Sequence, residues 1–394
     1  MASDGSQAMP TAHYPIYGVR GWYAKEDDKS NGGGYSRSGS QQAPARRLES
    51  SQFDSSTQRY EGRGKPSGVW DGPAPRGVLP PGLLSSPITT YTRKPPGATT
   101  TMLPGGGKMP FLGMSTEGTT EEVLKKALEL GYRHFDCNPE DGNEAMVGSV
   151  LNLNASSVPR EDLFVTSKLP NDMHGHVKEA CEASLKALGV ACLDLYLVAW
   201  PVAWKKGTQV VDETCSLEQT WVQMEALVDA GLVKYIGLAN FDLPQVERML
   251  SACRIKPAAL QVELHPLLAQ RKLVGVCKRK GLAIIAHHPL GDANLAANVA
   301  VIKVAGECSR KPVEALLRWN LERCVGVTVP GTDATQVAEG AGSITFSLMD
   351  EEKRQLDALD ALNLGQRSVN PSFMTFAAPG EGGAIKPSSV LGYA

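Results

Sequence analysis

The sequence predicts an α/β fold, a (β/α)8 TIM barrel with a long irregular N-terminal arm and a short irregular C-terminal tail. Strand and helix signals alternate from near Thr100 onward, which favours helices packed around parallel strands. No Gly-x-Gly-x-x-Gly follows the first strand, which argues against an open dinucleotide-binding sheet. Composition changes sharply before Thr100. We therefore expect an extended, low-complexity arm over residues 1–97, the barrel over 98–376 and the tail over 377–394.

The predicted arm has a composition of its own. Residues 1–97 hold 14 Gly, 11 Pro and 13 Ser and show no periodic apolar face. Such a segment buries too little surface to compensate for the entropy lost on ordering. Six of the ten tyrosines lie here, together with Trp22 and Trp70. Aromatic clusters suit docking into a partner's grooves, so we expect the arm to bind protein. A low-complexity tail with scattered aromatics is the alternative.

Eight short apolar runs are the predicted barrel strands. They are Met109–Ser115, Tyr132–Cys137, Leu163–Leu169, Leu193–Trp200, Val233–Asn240, Ala258–Leu264, Leu282–Pro289 and Val325–Pro330. Each is apolar on both faces, as expected for parallel strands that helices cover.

Amphipathic segments between these runs predict the helices. Thr119-Thr120-Glu121-Glu122 is interpreted as a capping box that begins a helix reaching Leu130. Ser216-Leu217-Glu218-Gln219 is a second such box, for a helix that ends at Gly231. A last helix is expected over Asp350–Leu362.

Composition also narrows the class of function. The chain has 40 Lys+Arg and 42 Asp+Glu, a formal net charge of −2, so no nucleic-acid partner is expected. No run of ~18 apolar residues predicts a membrane span, and the N-terminus carries Asp4 without an apolar signal region. The eight cysteines lie between Cys137 and Cys324 without a C-x-x-C pair, which predicts reduced thiols and a cytoplasmic location.

Function in such barrels lies at the carboxyl ends of the strands. Asp136 and Lys168 end neighbouring predicted strands, so we expect an ion pair at the mouth. The pair is either a remnant of catalysis or a structural cross-link. We predict no metal site. His287 and His288 are adjacent in a strand and should point to opposite faces, and His174-Gly175-His176 has no third ligand nearby in the sequence.

Seven motifs follow one another along residues 100–376. They are Lys108-Met109-Pro110-Phe111-Leu112-Gly113, Gly131-Tyr132-Arg133-His134-Phe135-Asp136-Cys137, Ser167-Lys168-Leu169, Leu193-Asp194-Leu195-Tyr196-Leu197-Val198-Ala199-Trp200-Pro201, Ile236-Gly237-Leu238-Ala239-Asn240-Phe241, Gln261-Val262-Glu263-Leu264-His265-Pro266 and Pro289-Leu290-Gly291. In this order they resemble the aldo-keto reductase family. The resemblance implies a TIM barrel that binds NADP(H) across its mouth and transfers hydride to a carbonyl carbon.

The resemblance also implies a catalytic tetrad. In the family a tyrosine protonates the carbonyl oxygen, a lysine and an aspartate tune that tyrosine, and a histidine orients the carbonyl. Asp136 matches the aspartate and Lys168 the lysine. The position five residues beyond Asp136, in the register fixed by Asn143-Glu144, holds Asp141 instead of tyrosine. The residue before Trp200 is Ala199 instead of histidine, so half of the tetrad is missing.

No substitute proton donor is evident in the predicted barrel. Tyr132, Tyr196 and Tyr235 fall in strands, upstream of the mouth. An ordinary aspartate has a pKa of ~3.9, so an ionised Asp141 would repel a developing alkoxide. Coupling to Asp136 would favour one protonated carboxyl, whereas Lys168 opposes it. We expect a charged cluster that does no proton chemistry.

The cofactor positions are mixed. The resemblance assigns to cofactor binding the residues Asn240, Gln261, His287, Leu290, Gly331 and Thr332. Asn240 and Gln261 match residues that hold the nicotinamide amide, whereas His287 replaces the stacking tyrosine. Gly331 and Thr332 replace a lysine and a serine that grip the 2′-phosphate, and no basic residue follows in Asp333–Val337. The missing cation weakens NADP relative to NAD, so we expect weak or absent binding of either.

Three functional hypotheses follow. The first is a pseudoenzyme, an aldo-keto reductase barrel used as a structural or docking subunit of a larger assembly. Residues 1–97 would anchor it in that assembly, such as a cytoskeletal or ciliary one. The second is an active NAD(P)H-dependent aldehyde or ketone reductase with an unusual donor. The third is a regulatory subunit that senses nicotinamide nucleotides. We expect a protein partner for the arm rather than a small carbonyl substrate for the barrel.

Overall fold

The computed structural model describes residues 97, 99–154, 157–360, 366–375 and 386–387. The predicted arm, apart from Gly97, and most of the predicted tail lie outside these residues. The described strands are β1 (Thr100–Met102), β2 (Lys108–Pro110), β3 (Leu112–Ser115), β4 (His134–Asp136), β5 (Phe164–Leu169), β6 (Leu193–Val198), β7 (Val233–Ala239), β8 (Ala259–Glu263), β9 (Ala283–His287), β10 (Gly326–Pro330), β11 (Met374–Thr375) and β12 (Lys386–Pro387). The described α-helices are α1 (Glu121–Glu129), α2 (Glu144–Leu153), α3 (Val177–Leu188), α4 (Leu217–Asp229), α5 (Leu243–Ala252), α6 (Arg271–Arg279), α7 (Val299–Cys308), α8 (Pro312–Glu322), α9 (Ala334–Gly342) and α10 (Asp350–Asp357).

Strands β3 to β10 form a closed parallel barrel in chain order, which confirms the predicted (β/α)8 fold. The barrel closes where β10 pairs with β3, with Val327 opposite Leu112. Most strands are shorter than predicted by one or two residues, at one end or at both ends. The predicted strand Met109–Ser115 is two strands, because β2 instead pairs antiparallel with β1 in a hairpin.

The hairpin β1–β2 fills the amino-terminal end of the barrel. Met109 and Leu103 pack with interior residues such as Phe164, the first residue of β5. A side chain at Gly107 would collide with the Tyr235 hydroxyl, so glycine allows this close approach. Packed apolar side chains therefore occupy the amino-terminal end of the interior. The carboxyl ends of the strands form the polar mouth.

The helix starts show which capping predictions hold. Ser216 and Gln219 form the predicted reciprocal capping box at the start of α4. The predicted box at Thr119 is wrong, because the N-cap is Thr120, whose hydroxyl accepts from the Val123 amide. Glu122 is then one position too early to reciprocate. The predicted last helix is also shorter, since α10 ends at Asp357 and a single 3-10 turn follows to Asp360.

The described part of the tail is not wholly irregular. β12 pairs antiparallel with β11, which corrects the expectation for residues 386–387. None of the eight cysteines, all of which lie within the described residues, forms a disulfide. In the part of the chain that the structure describes, no helix is long and apolar enough to cross a bilayer.

Candidate active site

The Asp136–Lys168 ion pair expected at the mouth is formed. Lys168 Nζ lies 2.8 Å from Asp136 Oδ1, and their side chains are only 13% and 4% exposed. Lys168 Nζ also donates to the Cys137 carbonyl at 3.1 Å. Burial works to lower the pKa of Lys168, but the charge and hydrogen bond of Asp136 outweigh it and leave the pKa above its ordinary value. Gln261 Nε2 donates to Asp136 Oδ2 at 3.0 Å, so both carboxylate oxygens have partners.

Asp141 lies beside this pair in a 3-10 turn, Pro139–Asp141, directly after β4. Its side chain forms no hydrogen bond or ion pair with a described residue. Burial raises its pKa to about 7, although the charge of Lys168 works against the rise. The expectation of an ordinary, strongly acidic carboxyl was therefore wrong. Partial burial without a hydrogen-bond donor destabilises the carboxylate form.

Ala199 follows β6, and its methyl group is buried at the position that the resemblance assigns to the orienting histidine. The three barrel tyrosines supply no phenol here either. Tyr132 donates to the Val337 carbonyl at 2.8 Å, and Tyr235 packs at the amino-terminal end of the interior. The Tyr196 hydroxyl is buried without a partner, in the apolar layer that β6 contributes to. Among the described residues, Lys168 donates hydrogen bonds to Asp136 and the Cys137 carbonyl and to no tyrosine.

A chain of hydrogen bonds crosses the mouth from His288 to Ala199. His287 Nε2 lies 2.8 Å from Asn240 Oδ1, and Asn240 Nδ2 donates to the Ala199 carbonyl at 2.9 Å. The second bond fixes the amide orientation, so His287 Nε2 carries the proton that Asn240 accepts. Burial and the neighbouring His288 lower the pKa of His287 well below its ordinary value, so the ring is neutral. Both amide atoms of Asn240 are therefore engaged within the chain.

The prediction that His287 and His288 face opposite sides was wrong. His288 has a φ of 47°, so the strand ends at His287 and the two Nδ1 atoms approach to 3.0 Å. The two imidazole rings are therefore within hydrogen-bond distance of each other. In the described chain no group of three or more metal-binding side chains occurs, and buried His174 instead contacts Thr220.

The residues that the resemblance assigns to the 2′-phosphate leave little room, and Gly331 and Thr332 supply no cation there. A side chain at Gly331 would collide with the Ser115 carbonyl oxygen, because β10 ends tightly against β3. Asp333 caps α9, and its carboxylate accepts from the Thr335 amide at 2.8 Å. Thr332 lies between them in the sequence. Leu290 is partly buried and packs against the barrel's apolar layers rather than standing free in the mouth.

The residues that hold the segment 366–375 to the barrel were not among the predicted site residues. Glu263, the last residue of β8 and 1% exposed, accepts from the Ser368 amide at 2.5 Å and the Val369 amide at 3.3 Å. Phe373 meets Trp200 edge-on, with ring centroids 5.5 Å apart. Period-two alternation from Gln261 would have placed Glu263 at the mouth. No spacing rule pairs it with a segment a hundred residues further on.

The closed parallel barrel carries a buried Lys–Asp ion pair at the ends of adjacent strands. These two features are typical of a TIM-barrel protein of the oxidoreductase type. The family model described as "Aldo/keto reductase family" matches residues 101–361. Aldo-keto reductase family 1 member A1 of Cricetulus griseus is 36% identical over 291 residues, 67% of this chain and 90% of that protein. The Homo sapiens protein of the same name is 35% identical over equal shares. The aldose reductase structure from Schistosoma japonicum matches with a TM-score of 0.65 at 36% identity, covering 69% of this chain and 94% of that one. The chain belongs to the aldo/keto reductase family.

Proposed function

We propose that this chain is a catalytically degenerate aldo-keto reductase that serves as a docking subunit of a larger protein assembly. The observation that carries the proposal is the mouth itself. Asp141 and Ala199 stand at the two tetrad positions that the resemblance assigns to the proton donor and the orienting imidazole. Asp136 and Lys168 then form a cross-link between β4 and β5 rather than a device that tunes a phenol.

The expected loss of catalysis is large. A positioned proton donor contributes typically 10²–10⁴-fold. The orienting histidine is lost as well, and an ionised carboxylate at position 141 opposes a negative charge on the carbonyl oxygen. Asp141 is partly ionised at neutral pH because its pKa is about 7. The residual rate is therefore expected to be small even with cofactor and aldehyde present.

The residues at the mouth do not fit NADP(H) well. The lysine position is Gly331, which has no room for a side chain, and Asp333 adds a negative charge one position beyond Thr332. A carboxamide would compete for Asn240 with His287 and with the Ala199 carbonyl. These contacts support weak or absent binding of NADP or NAD.

The docking role rests on the composition of residues 1–97. Six tyrosines and two tryptophans in a Gly/Pro/Ser-rich segment suit an arm that lies in the grooves of a partner. The same proposal includes the domain boundaries at residues 97/98 and 376/377. It also includes a cytoplasmic location and an association with the cytoskeleton or a cilium.

Two experiments test the two halves of the proposal. The double variant Asp141→Tyr, Ala199→His should gain carbonyl reduction with NADH or NADPH, while the wild-type chain and the single variants stay inactive. Deletion of residues 1–97 should remove the chain from its native assembly in a co-sedimentation assay. Unchanged sedimentation of the deletion variant would contradict the anchoring role, and turnover by the wild type would contradict degeneracy.

One observation favours an active reductase as the second candidate. A carboxyl group with a pKa of about 7 at position 141 is half protonated near neutral pH and is a chemically competent acid. In that case Asp141→Asn abolishes turnover that the wild type shows.

A further inference from the structure

We propose that the amino-terminal end of strands β8, β9 and β10 is a docking surface for an acidic peptide segment of a partner protein. The inference rests on the proposed docking function and names the surface on the barrel that would serve it. This end of the barrel lies opposite the mouth, so the surface is separate from the candidate active site.

The topology brings cations from three loops to one place. Lys256 precedes β8 by three residues, Lys280 precedes β9 by three and Arg323 precedes β10 by three. Ala259 pairs with Ala283, so the loops before β8 and β9 lie side by side. Gly326 pairs with Ile285, which places the loop with Arg323 beside Gly281 and Leu282, directly after Lys280.

Direct contacts hold part of this set together. Lys278 Nζ donates to the carbonyl oxygen of Arg323, so the end of α6 is fastened to the loop before β10. The guanidinium of Arg323 lies over the Trp319 ring, 4.3 Å from its centroid, and donates to the Ala269 carbonyl at 2.6 Å. Burial lowers the pKa of Lys278. Burial and the charge of Arg271 lower the pKa of Arg323 to about 10, although Asp357 and Asp360 oppose the shift.

Part of the positive charge here has no ion-pair partner within the described chain, whereas the carboxylates Asp357 and Asp360 act on Arg323. Lys256, Arg279 and Lys280 form no ion pair with a described residue. Nearby carboxylates serve other cations, since Asp229 pairs with Arg254 and Asp357 with Arg271. Lysines on the outer helices differ, because Lys125, Lys178 and Lys303 each have a glutamate four residues away at 3.2–3.8 Å.

An acidic peptide fits this surface better than a nucleic acid does. The patch consists of the exposed cations Lys256, Arg279 and Lys280, which precede the neighbouring strands β8 and β9. Residues 98–394 carry 28 basic and 34 acidic side chains, so a long polyanion would meet repulsion beyond the patch. Nucleic-acid surfaces also use exposed aromatic rings for stacking. Among the described residues, none of the strongly exposed large apolar side chains is aromatic.

The test compares two triple variants that lose the same charge. Lys256→Gln, Arg279→Gln, Lys280→Gln removes the patch, whereas Lys125→Gln, Lys178→Gln, Lys303→Gln removes three lysines from the outer helices. Binding of a fluorescent ten-residue polyglutamate peptide to the full chain is followed by anisotropy at about 50 mM and about 300 mM salt. We expect the patch variant to bind about tenfold more weakly at low salt, and the control variant to match the wild type.

Several outcomes would overturn the inference. They are no peptide binding by the wild type, an equal loss in the control variant, or tighter binding of a ten-nucleotide single strand than of the peptide. Low-salt self-association that the patch variant abolishes would make a second copy of the chain the occupant instead. Aldehyde turnover by the wild type bears on the proposed function alone and leaves this comparison intact.

Discussion

Replacing Lys168 with methionine should destabilise the barrel strongly. Asp136 is 4% exposed and keeps only the hydrogen bond from Gln261 Nε2 at 3.0 Å when the ammonium group is gone. Removing one partner of a buried pair costs about 3–5 kcal/mol, because the other charge stays buried and uncompensated. We expect a loss of that size in the free energy of unfolding of Lys168→Met.

A second variant separates lost charge from lost packing. Asp136→Asn combined with Lys168→Met removes both charges and leaves an amide that still accepts from Gln261. We expect this pair to recover most of the lost stability, to within about 1–2 kcal/mol of the wild type. Lys234→Met is the matched control. Lys234 is 51% exposed and its partner Asp194 retains Arg160 at 2.7 Å, so its loss should cost about 0–1 kcal/mol.

Urea unfolding followed by tryptophan fluorescence measures all four proteins, with the slope checked for two-state behaviour. A loss below about 1 kcal/mol in Lys168→Met would refute the interpretation of the pair as a structural cross-link. If the double variant does not recover the lost free energy of unfolding, the aliphatic stem of the lysine, rather than its charge, stabilises the mouth.

Three further predictions concern single residues. Ser216→Ala removes the capping box of α4 and should lower the unfolding free energy by about 1 kcal/mol, whereas an unchanged urea midpoint would contradict that role. Asp141 has a pKa of about 7 in the folded chain, above its ordinary value, so it lowers stability as pH rises from about 4 through 7. Asp141→Asn should flatten that slope in urea unfolding at pH 5 and 8, and an unchanged slope would contradict the raised pKa. The pKa of Glu263 is lowered despite its burial, through the hydrogen bonds of His265 and the Ser368 amide. Glu263 therefore stabilises the fold at pH values above ~4.3, the ordinary pKa of a glutamate. This contribution is lost as the pH falls through the lowered pKa of Glu263 in the folded chain. Glu263→Gln should speed hydrogen exchange of the Ser368 amide, and unchanged protection would show that the segment is held elsewhere.

Local sequence signals predicted the barrel well because its strands and helices are periodic. The run Leu193–Trp200 is apolar on both faces, as a buried parallel strand requires, and β6 lies within it. The strand Met109–Ser115 was misjudged because its first half pairs antiparallel with β1, a contact that depends on the hairpin at Gly107.

The candidate site was predictable only where strand ends determine it. Asp136 and Lys168 end adjacent strands, so their ion pair followed from topology. The contact between His287 and His288 depends on a positive φ at a non-glycine residue, which no periodicity indicates. The raised pKa of Asp141 depends on burial by residues far apart in the sequence.

The most direct test of the account is the rate of NADPH and NADH oxidation by the full wild-type chain with a simple aldehyde, measured beside Lys168→Met and Asp141→Asn. The account predicts at most a small residual aldehyde-dependent oxidation, equal in the three proteins. Turnover by the wild type that falls in both variants would contradict it, because the mouth would then be carrying out proton transfer.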